Sequence, residues 1–324
     1  MCTGLSFTNK GYYFGRNLDY ERSYNETVAI TPRNFPITLR KLPAIHAHYA
    51  IIGMATVADN FPLYYDGTNE KGLSMAGLAF TGNAVYLPEA SGKQNVTSFE
   101  FVLWVLAQFE TVDQVREALR SVNLVDAAFS EGLPPSPLHW IIADRSSSIT
   151  VEPMQDGLKV YDNPVGVLTN NPTFDIQLFN LNNFMHLSSK APTNNFSDAI
   201  KFDVYSRGMG ALGLPGDLSS ASRFVRAVFT KMNSLAHETE SASISQFFKI
   251  LGSVAQQRGC ANVGDDQYEI TIYSSCCNVD KGIYYYTTYE NSQITAVDMH
   301  KHDLDGSALA SFPLITGQQI RMQN

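Results

Sequence analysis

The chain has 324 residues, 44% hydrophobic and 17% charged, which is enough apolar side chain for a sizeable core in one large domain or two ordinary ones. Its 23 Lys and Arg against 31 Asp and Glu leave a formal net charge of −8, which argues against a nucleic-acid binder with its basic patch or stripe. The opening MCTGLSFTNK has neither the basic segment nor the apolar stretch of an export signal, and no apolar run reaches the roughly 18 residues of a membrane span. A soluble, non-exported protein is expected. Cys2, Cys260, Cys276 and Cys277 have no metal-ligand spacing and fit a reducing cytoplasm. The glycosylation-type triplets at Asn25, Asn95 and Asn195 then read as chance matches.

In chain order, MCTGLSF and YYFGRNLDY read as a strand pair around the turn residues Asn9, Lys10 and Gly11. HYAIIGMATVAD and PLYYDGTNEKGLSMAGLAF supply further strands, punctuated by Asp-Gly and Asn-Glu-Lys-Gly turns. Thr97 with Glu100 predicts a capping box opening FEFVLWVLAQF, and Thr111 with Gln114 one opening VDQVREALRSV. More strands follow in LHWIIADRSSSITVEPMQDGLKVYDNPVGVLTN, again punctuated by an Asp-Gly turn. SSASRFVRAVFTKMNSL predicts a helix with Phe224, Val228 and Met232 on its packing face, and Ser243 with Gln246 predicts a box opening SQFFKILGSVAQQ. YEITIYSSCC and GIYYYTTYENSQITAVDM, rich in Tyr, Thr and Ile, are the last strands. No repeat or low-complexity linker divides the chain, so one domain of two packed sheets with outer helices is expected over residues 1–324.

Cys2 is the residue that carries chemistry. Chains commonly lose Met1 when residue 2 is small, which would leave a free α-amine on the same residue as the thiol. The amine titrates near ~7.7–8.0 and the thiol near ~8.5, both within reach of neutral pH, and an N-terminal amine can activate its own nucleophile. The structural alternative is a small cysteine packed on an edge strand. After one hairpin, YFGRNLDY brings Arg16 and Asp19 back toward the chain start. Arg16 would favour the thiolate and Asp19 would hold the amine. Residues three apart on a strand point to opposite faces unless it bends, bulges or ends, so a solvated Arg–Asp pair stays open on spacing alone.

MCTGL, YFGRNLD, VGVLTNNPTF, GLPGDLSSASRFVR and GIYYYTTYENSQITAVDM, in this order from Met1 to near the C-terminus, resemble the choloylglycine hydrolase family and within it the bile salt hydrolases. The resemblance implies an N-terminal nucleophile hydrolase with a four-layer αββα fold, often a homotetramer, with the penicillin V acylases as close relatives. It implies Cys2 as nucleophile, Arg16 and Asp19 as its partners, Asn170 as an oxyanion-hole donor and Arg223 as the remaining active-site residue. Without it, Asn170 is not distinguishable from Asn171, nor Arg223 from Arg226. One position departs from the pattern: the family reads AGLN where this chain reads AGLA, with Ala79 in place of Asn. If the second oxyanion donor is the backbone N–H at that position, alanine keeps it; if it is the side chain, transition-state stabilisation suffers, and the backbone is favoured because every non-proline residue supplies that donor.

The implied reaction is cleavage of the amide joining a steroid acyl group to glycine or taurine in a conjugated bile salt, through a Cys2 thioester, with no metal or organic cofactor. IIGMATVADNFPLYY, with Phe61 and Tyr65, and GLAFTGNAVYLP are candidate apolar walls for the steroid and equally candidate core. YSRGMG, with Tyr205 and Arg207, resembles a family loop tied to preference between conjugates, its Ser-Arg form suggesting glycine. His46 and His48, and His300 and His302, read as surface residues rather than ligands. Three other readings compete: a penicillin V acylase, a Cys–His peptidase built from Cys2 or Cys260 with His139, and a bile-acid binding protein in which Cys2 is incidental.

Overall fold

The computed structural model describes residues 1–324. Strands β1 (Cys2–Asn9) and β2 (Gly11–Tyr20) pair antiparallel around Lys10, which takes the turn with a φ of 55°. Next come β3 (Thr27–Thr31), β4 (Ile51–Ala58), β5 (Phe61–Asn69), β6 (Ser74–Ala79) and β7 (Gln94–Thr97). Helices α1 (Phe101–Gln108) and α2 (Val112–Leu119) precede β8 (Val122–Val125), β9 (Leu138–Ala143), β10 (Ser148–Met154), β11 (Gly157–Asp162) and β12 (Val167–Leu168). Helices α3 (Phe174–Asn180), α4 (Ser220–Asn233) and α5 (Glu240–Gly252) follow. The chain closes with β13 (Asn262–Gly264), β14 (Gln267–Tyr268), β15 (Ile270–Asn278), β16 (Ile283–Thr288), β17 (Thr295–Asp298) and β18 (Ala310–Pro313).

Two antiparallel sheets dominate: a six-stranded one in the order β12-β1-β2-β15-β16-β17 and an eight-stranded one in the order β11-β10-β9-β6-β5-β4-β3-β18. Helices α4 and α5 cover the first sheet at β1, β2, β12 and β15, and α1 covers the second at β5 and β6. This is the four-layer αββα arrangement that the resemblance implies. One core cluster fills the space between the sheets, around Cys2, Leu78 and Ile141, and continues to Leu5, Phe224 and Phe247 under the outer helices. The other, around Phe101, Trp104 and Trp140, lies between the eight-stranded sheet and its helices. Fully burying side chains of this size contributes about 1.5–3 kcal/mol each. Gly15 of YFGRNLD is fixed by a close approach, because a Cβ there would run into the main chain of Ser275 on β15. No helix is long and apolar enough to cross a membrane.

Several local expectations need correction. Asn69–Gly72 and Asp156-Gly157 are predicted turns, with Gly72 at φ 93° and Gly157 at φ 108°, but Asp66-Gly67 lies inside β5. Thr111 caps α2 by accepting from Gln114 N at 3.3 Å, as predicted. In the first box, Thr97 Oγ1 donates to Glu100 Oε2 at 2.6 Å, and α1 begins only at Phe101. Helix α5 is capped by Thr239, four residues ahead of Ser243, which is buried and back-bonds to the Thr239 carbonyl. Met232 is exposed, so the packing face of α4 is Phe224, Ala227 and Val228 together with Arg223. His48 is not a surface residue: it is buried with its ring nitrogens at the Tyr49 and Phe35 carbonyls.

Candidate active site

Cys2 starts β1 opposite Leu18, and Gly4 lies opposite Arg16. Strand alternation therefore turns the Cys2 and Arg16 side chains to one face and Thr3, Asn17 and Asp19 to the other. Cys2 packs in the cluster between the sheets, and Arg16 crosses the same space so that Nη1 donates to the carbonyls of Tyr65, at 3.1 Å, and Gly77. A bulge in β5 frees the first of these, since Asp66 faces Met54 and Tyr64 faces Ala55, leaving Tyr65 without a partner in the register. On the opposite face Asn17 Nδ2 donates to Leu251 O of α5 at 2.9 Å. Arg16 and Asp19 thus do point opposite ways, and β2 does not bend to reconcile them. They serve different parts of one residue: the thiol faces the sandwich interior with Arg16, while the main chain at Met1 and Cys2 lies against Asp19.

The bulge that shapes the Asp19 side is in the neighbouring strand. Thr271 pairs with Asp19 and Tyr273 with Leu18, so β15 carries one extra residue. Thr271 Oγ1 then donates to Asp19 Oδ1 at 2.6 Å, and Asp19 Oδ2 is buried with no hydrogen-bond partner, 3.9 Å from Arg223 Nη1. Burial pushes the Asp19 carboxyl above its ordinary value, against the pull of Arg223, the chain's amino group, Thr271 and Arg16.

Asn170 is held from four directions. Its Oδ1 accepts from Cys2 N at 2.8 Å and from Arg223 Nη2 at 2.7 Å, two donors that fix the orientation of the amide. Its Nδ2 donates to Ala79 O at 2.7 Å, so one amide hydrogen is committed and the second is free. Its backbone N–H goes to Ser220 Oγ at 2.8 Å and its carbonyl accepts from Gln177 Nε2 at 3.1 Å. Asn171 instead donates to the Thr81 carbonyl at 2.7 Å.

Arg223, one turn into α4 behind the Ser219 cap, reaches Cys2 O at 2.6 Å and Thr3 Oγ1 at 2.8 Å as well as Asn170. Arg226 is occupied elsewhere, on the carbonyls of Ser253 and Pro215. Burial lowers the pKa of Arg223 against Asp19 and Cys2. Burial also works to lower that of Arg16, but Cys2, Tyr273, Asp66 and Asp19 outweigh it and hold this guanidinium above its ordinary value. A thiol with one buried guanidinium on its own side of the strand and a second on its main chain, beside an amide with a free N–H, is equipped to stabilise a thiolate and then an oxyanion.

With Met1 in place Cys2 is 3% exposed. The Met1 amino group donates to the Asp19 carbonyl at 2.9 Å and pairs with Glu269, and burial lowers its pKa. The remaining predicted residues divide. Tyr65 joins the group through its carbonyl, with its hydroxyl 2.8 Å from Thr56 Oγ1. Ala79 meets Asn170 through its carbonyl. Phe61 packs with Phe99 and Phe129 in an aromatic trio, apart from the Cys2 group. Tyr205 is 81% exposed and Arg207 is also exposed, and neither makes a hydrogen bond to these residues.

Sequence reasoning missed Thr3, Thr271, Gln177 and Ser220. Ser220 sits in the quoted SSASR stretch, and Thr271 is opposite Asp19 in the register. Gln177, which also donates to Thr169 Oγ1 at 3.0 Å, carries no local signal. His139 does not serve either cysteine. Both its ring nitrogens are engaged, by Glu152 Oε1 at 3.1 Å and Thr169 O at 2.9 Å, and Cys260 is exposed. That removes the Cys–His peptidase.

A family model described as linear amide C-N hydrolases, choloylglycine hydrolase family, matches residues 2–312. The chain is 57% identical over 324 residues, the whole of both proteins, to the bile salt hydrolase/transferase of Lactiplantibacillus plantarum. It is similar in structure to a mutant conjugated bile acid hydrolase from Clostridium perfringens, with a TM-score of 0.92 at 40% identity and 100% of each chain covered. The penicillin V acylase of Agrobacterium tumefaciens shares the fold, with a TM-score of 0.73 at 19% identity over 96% of this chain and 90% of that one. With the family model matched over residues 2–312 and a relative 57% identical over 324 residues, this chain belongs to the choloylglycine hydrolase family of linear amide C-N hydrolases.

Proposed function

We propose that this chain, acting as a single catalytic unit, hydrolyses the amide of conjugated bile salts to free bile acid and glycine or taurine. Cys2 is the nucleophile and its own α-amine, freed of Met1, is the base. One observation carries the reading: the Cys2 nitrogen, the Asn170 amide and Arg223 are joined within 2.8 Å contacts at the start of β1. The relative named for bile salts at 57% identity supports the substrate.

In this reading the neutral amine takes the thiol proton, and Arg16 favours the thiolate it leaves. Sulfur attacks the amide carbon. The tetrahedral oxygen is held by the free hydrogen of Asn170 Nδ2 and by the backbone N–H of Ala79, and one such donor contributes on the order of 10²–10³ in rate. The C–N bond breaks as the Cys2 ammonium protonates the departing amine. Water, deprotonated by the same amine, then attacks the thioester and the C–S bond breaks. Asp19, whose second carboxylate oxygen is buried without a partner, and Asn170 Oδ1 orient the amine. Arg223 holds Asn170 Oδ1 and the Cys2 carbonyl, and so fixes the nucleophile relative to the donor. Phe61, Tyr65, Tyr205 and Arg207 are read as substrate contacts. Exposed Phe179, Met185, Phe196 and Phe202 support a homo-oligomer, which we read as a homotetramer; the cytoplasm is the compartment the four unpaired cysteines fit.

The test is intact mass measured beside glycocholate and penicillin V turnover on one preparation. Glycocholate should be the better substrate, and specific activity should track the fraction lacking Met1, because an amide nitrogen is no base near neutral pH. Faster turnover of penicillin V would overturn the substrate. Equal activity from homogeneous Met1-retaining chains would overturn the α-amine as base.

A further inference from the structure

A fully buried ion-pair partner set lies beneath the Asn170 segment and takes no part in the reaction described above. His139 of β9 and Glu152 of β10 are both 0% exposed. His139 and Ile141 alternate with Trp140, which packs in the helix-side cluster, so His139 points into the space between the sheets. Its Nε2 is 2.9 Å from the carbonyl of Thr169, the residue before Asn170. Its Nδ1 is 3.1 Å from Glu152 Oε1, which also accepts the backbone N–H of Phe174, at the start of α3, at 3.0 Å. The ring stacks on Phe80, the residue after Ala79, with centroids 4.2 Å apart and planes 7° from parallel.

Donor and acceptor chemistry fixes most of the protonation. A carbonyl only accepts, so His139 Nε2 carries a proton. Glu152 Oε1 already accepts from Phe174, and one further proton lies between it and Nδ1, whether the pair is written as imidazolium and carboxylate or as imidazole and acid. Either form is neutral as a unit and clamps the chain on both sides of Asn170, at Thr169 and at Phe174, while the stack presses on the residue beside Ala79. Glu152 Oε2 has no partner, so Oε1 alone makes both contacts. Hydrogen bonds of this kind, removed on one side only, leave the other partner buried and unsatisfied.

We propose that His139 and Glu152 form a positioning pair that sets Asn170 against the tetrahedral oxygen. This rests on the reading of Asn170 as an oxyanion donor. The pair touches neither thiol nor substrate, so its effect should appear in kcat and not in KM, and any change in Cys2 reactivity should pass through Asn170 Oδ1 and match that of Asn170→Ala. The experiment is a double-mutant cycle on the processed enzyme with glycocholate, in which His139→Ala, Asn170→Ala and the combination are compared for kcat, KM and the rate of Cys2 alkylation by iodoacetamide. His139→Ala should lower kcat by roughly 10²-fold, the size of one oxyanion donor, with KM within about threefold and alkylation changed no further than in Asn170→Ala. In the Asn170→Ala background the same substitution should cost little more, because it acts through Asn170. His139→Gln, whose amide can still donate to Thr169 O, should recover part of the loss. Glu152→Gln should show a smaller loss of the same kind, and it carries the cycle if His139→Ala does not fold. Losses that multiply in the double variant, or a rise in KM without a fall in kcat, overturn the pair as a positioning device. A full kcat in Asn170→Ala alone overturns the oxyanion reading and the proposal with it.

Discussion

Cys2 and the Cys276–Cys277 pair are buried in the same six-stranded sheet, and their surroundings make them different reagents. Cys276 and Cys277 sit in β15 among apolar side chains and carboxylates. Burial drives the Cys276 thiol well above its ordinary value, and burial with a nearby Asp66 pushes Cys277 up to about 12. Cys2 instead has Arg16 on its thiol side and Arg223 on its main chain, both fully buried. Burial by itself makes a thiol inert. Burial that carries guanidinium groups in with the thiol makes a site, and it is expensive to build unless every cation is hydrogen-bonded. The carbonyls of Tyr65, Gly77 and Cys2 supply part of that compensation, while Arg16 Nη2 is buried with no hydrogen-bond partner.

The strongest way to break this contrast is to remove the cysteines one at a time. Cys2→Ala should lower glycocholate turnover by on the order of 10⁴-fold or more, as loss of a nucleophile does, with the circular dichroism spectrum unchanged. Cys260→Ala, Cys276→Ala and Cys277→Ala should keep turnover within a few fold, the two core variants losing about 1 kcal/mol of stability. A folded but inactive Cys276 or Cys277 variant would show that burial had been misread as inertness, and a folded but inactive Cys260 variant that Cys2 is not the sole nucleophile.

How much of this was legible follows from where each determinant lies. The first hairpin was readable because alternation and the Asn9–Gly11 turn are local, and it carries Cys2, Arg16 and Asp19 together. The failures come from non-local facts. Arg223 and Arg226 are three apart on α4, and only the start of β1 beside one of them distinguishes the two. Ser243 imitated a cap because Gln246 follows it, yet it is buried against Asn9, whose Nδ2 donates to it at 2.9 Å. Asp66-Gly67 imitated a turn, because the three hydroxyls that satisfy a buried Asp66 come from β15 and β16, more than 200 residues on.

Ala79 sharpens the Cys2 half of the comparison. If the backbone N–H is the second oxyanion donor, Ala79→Asn should change kcat by less than about tenfold, since every non-proline residue supplies that group. A gain of roughly a hundredfold, the size of a missing donor, would show that the side chain belongs to the site. Steady-state kinetics with glycocholate read the difference directly.

Asp66 joins the two regions, because it is a charge felt by both Arg16 and Cys277. Its carboxylate accepts from Tyr273 and Tyr284 at 2.6 Å each and from Ser275 at 3.2 Å. Asp66→Asn turns one acceptor into a donor, so at least one of these hydroxyls must reorient, at a cost of about 1–3 kcal/mol. The pH dependence then reveals which influence governs Asp66. Burial raises its pKa above 3.8, against Arg16 and the hydroxyls, so between the ordinary and the raised value the native state binds more protons than the unfolded one. The stability Asp66 contributes is therefore full at low pH and is lost as pH rises through its folded pKa. The Asn variant has no such loss. Denaturation midpoints from about pH 4 upward should show the gap between variant and parent narrowing as pH rises. A gap that widens would mean that Arg16 outweighs burial and that Asp66 is held as its counter-ion, which would place the charge balance of the Cys2 site partly in the strand that carries the inert cysteines.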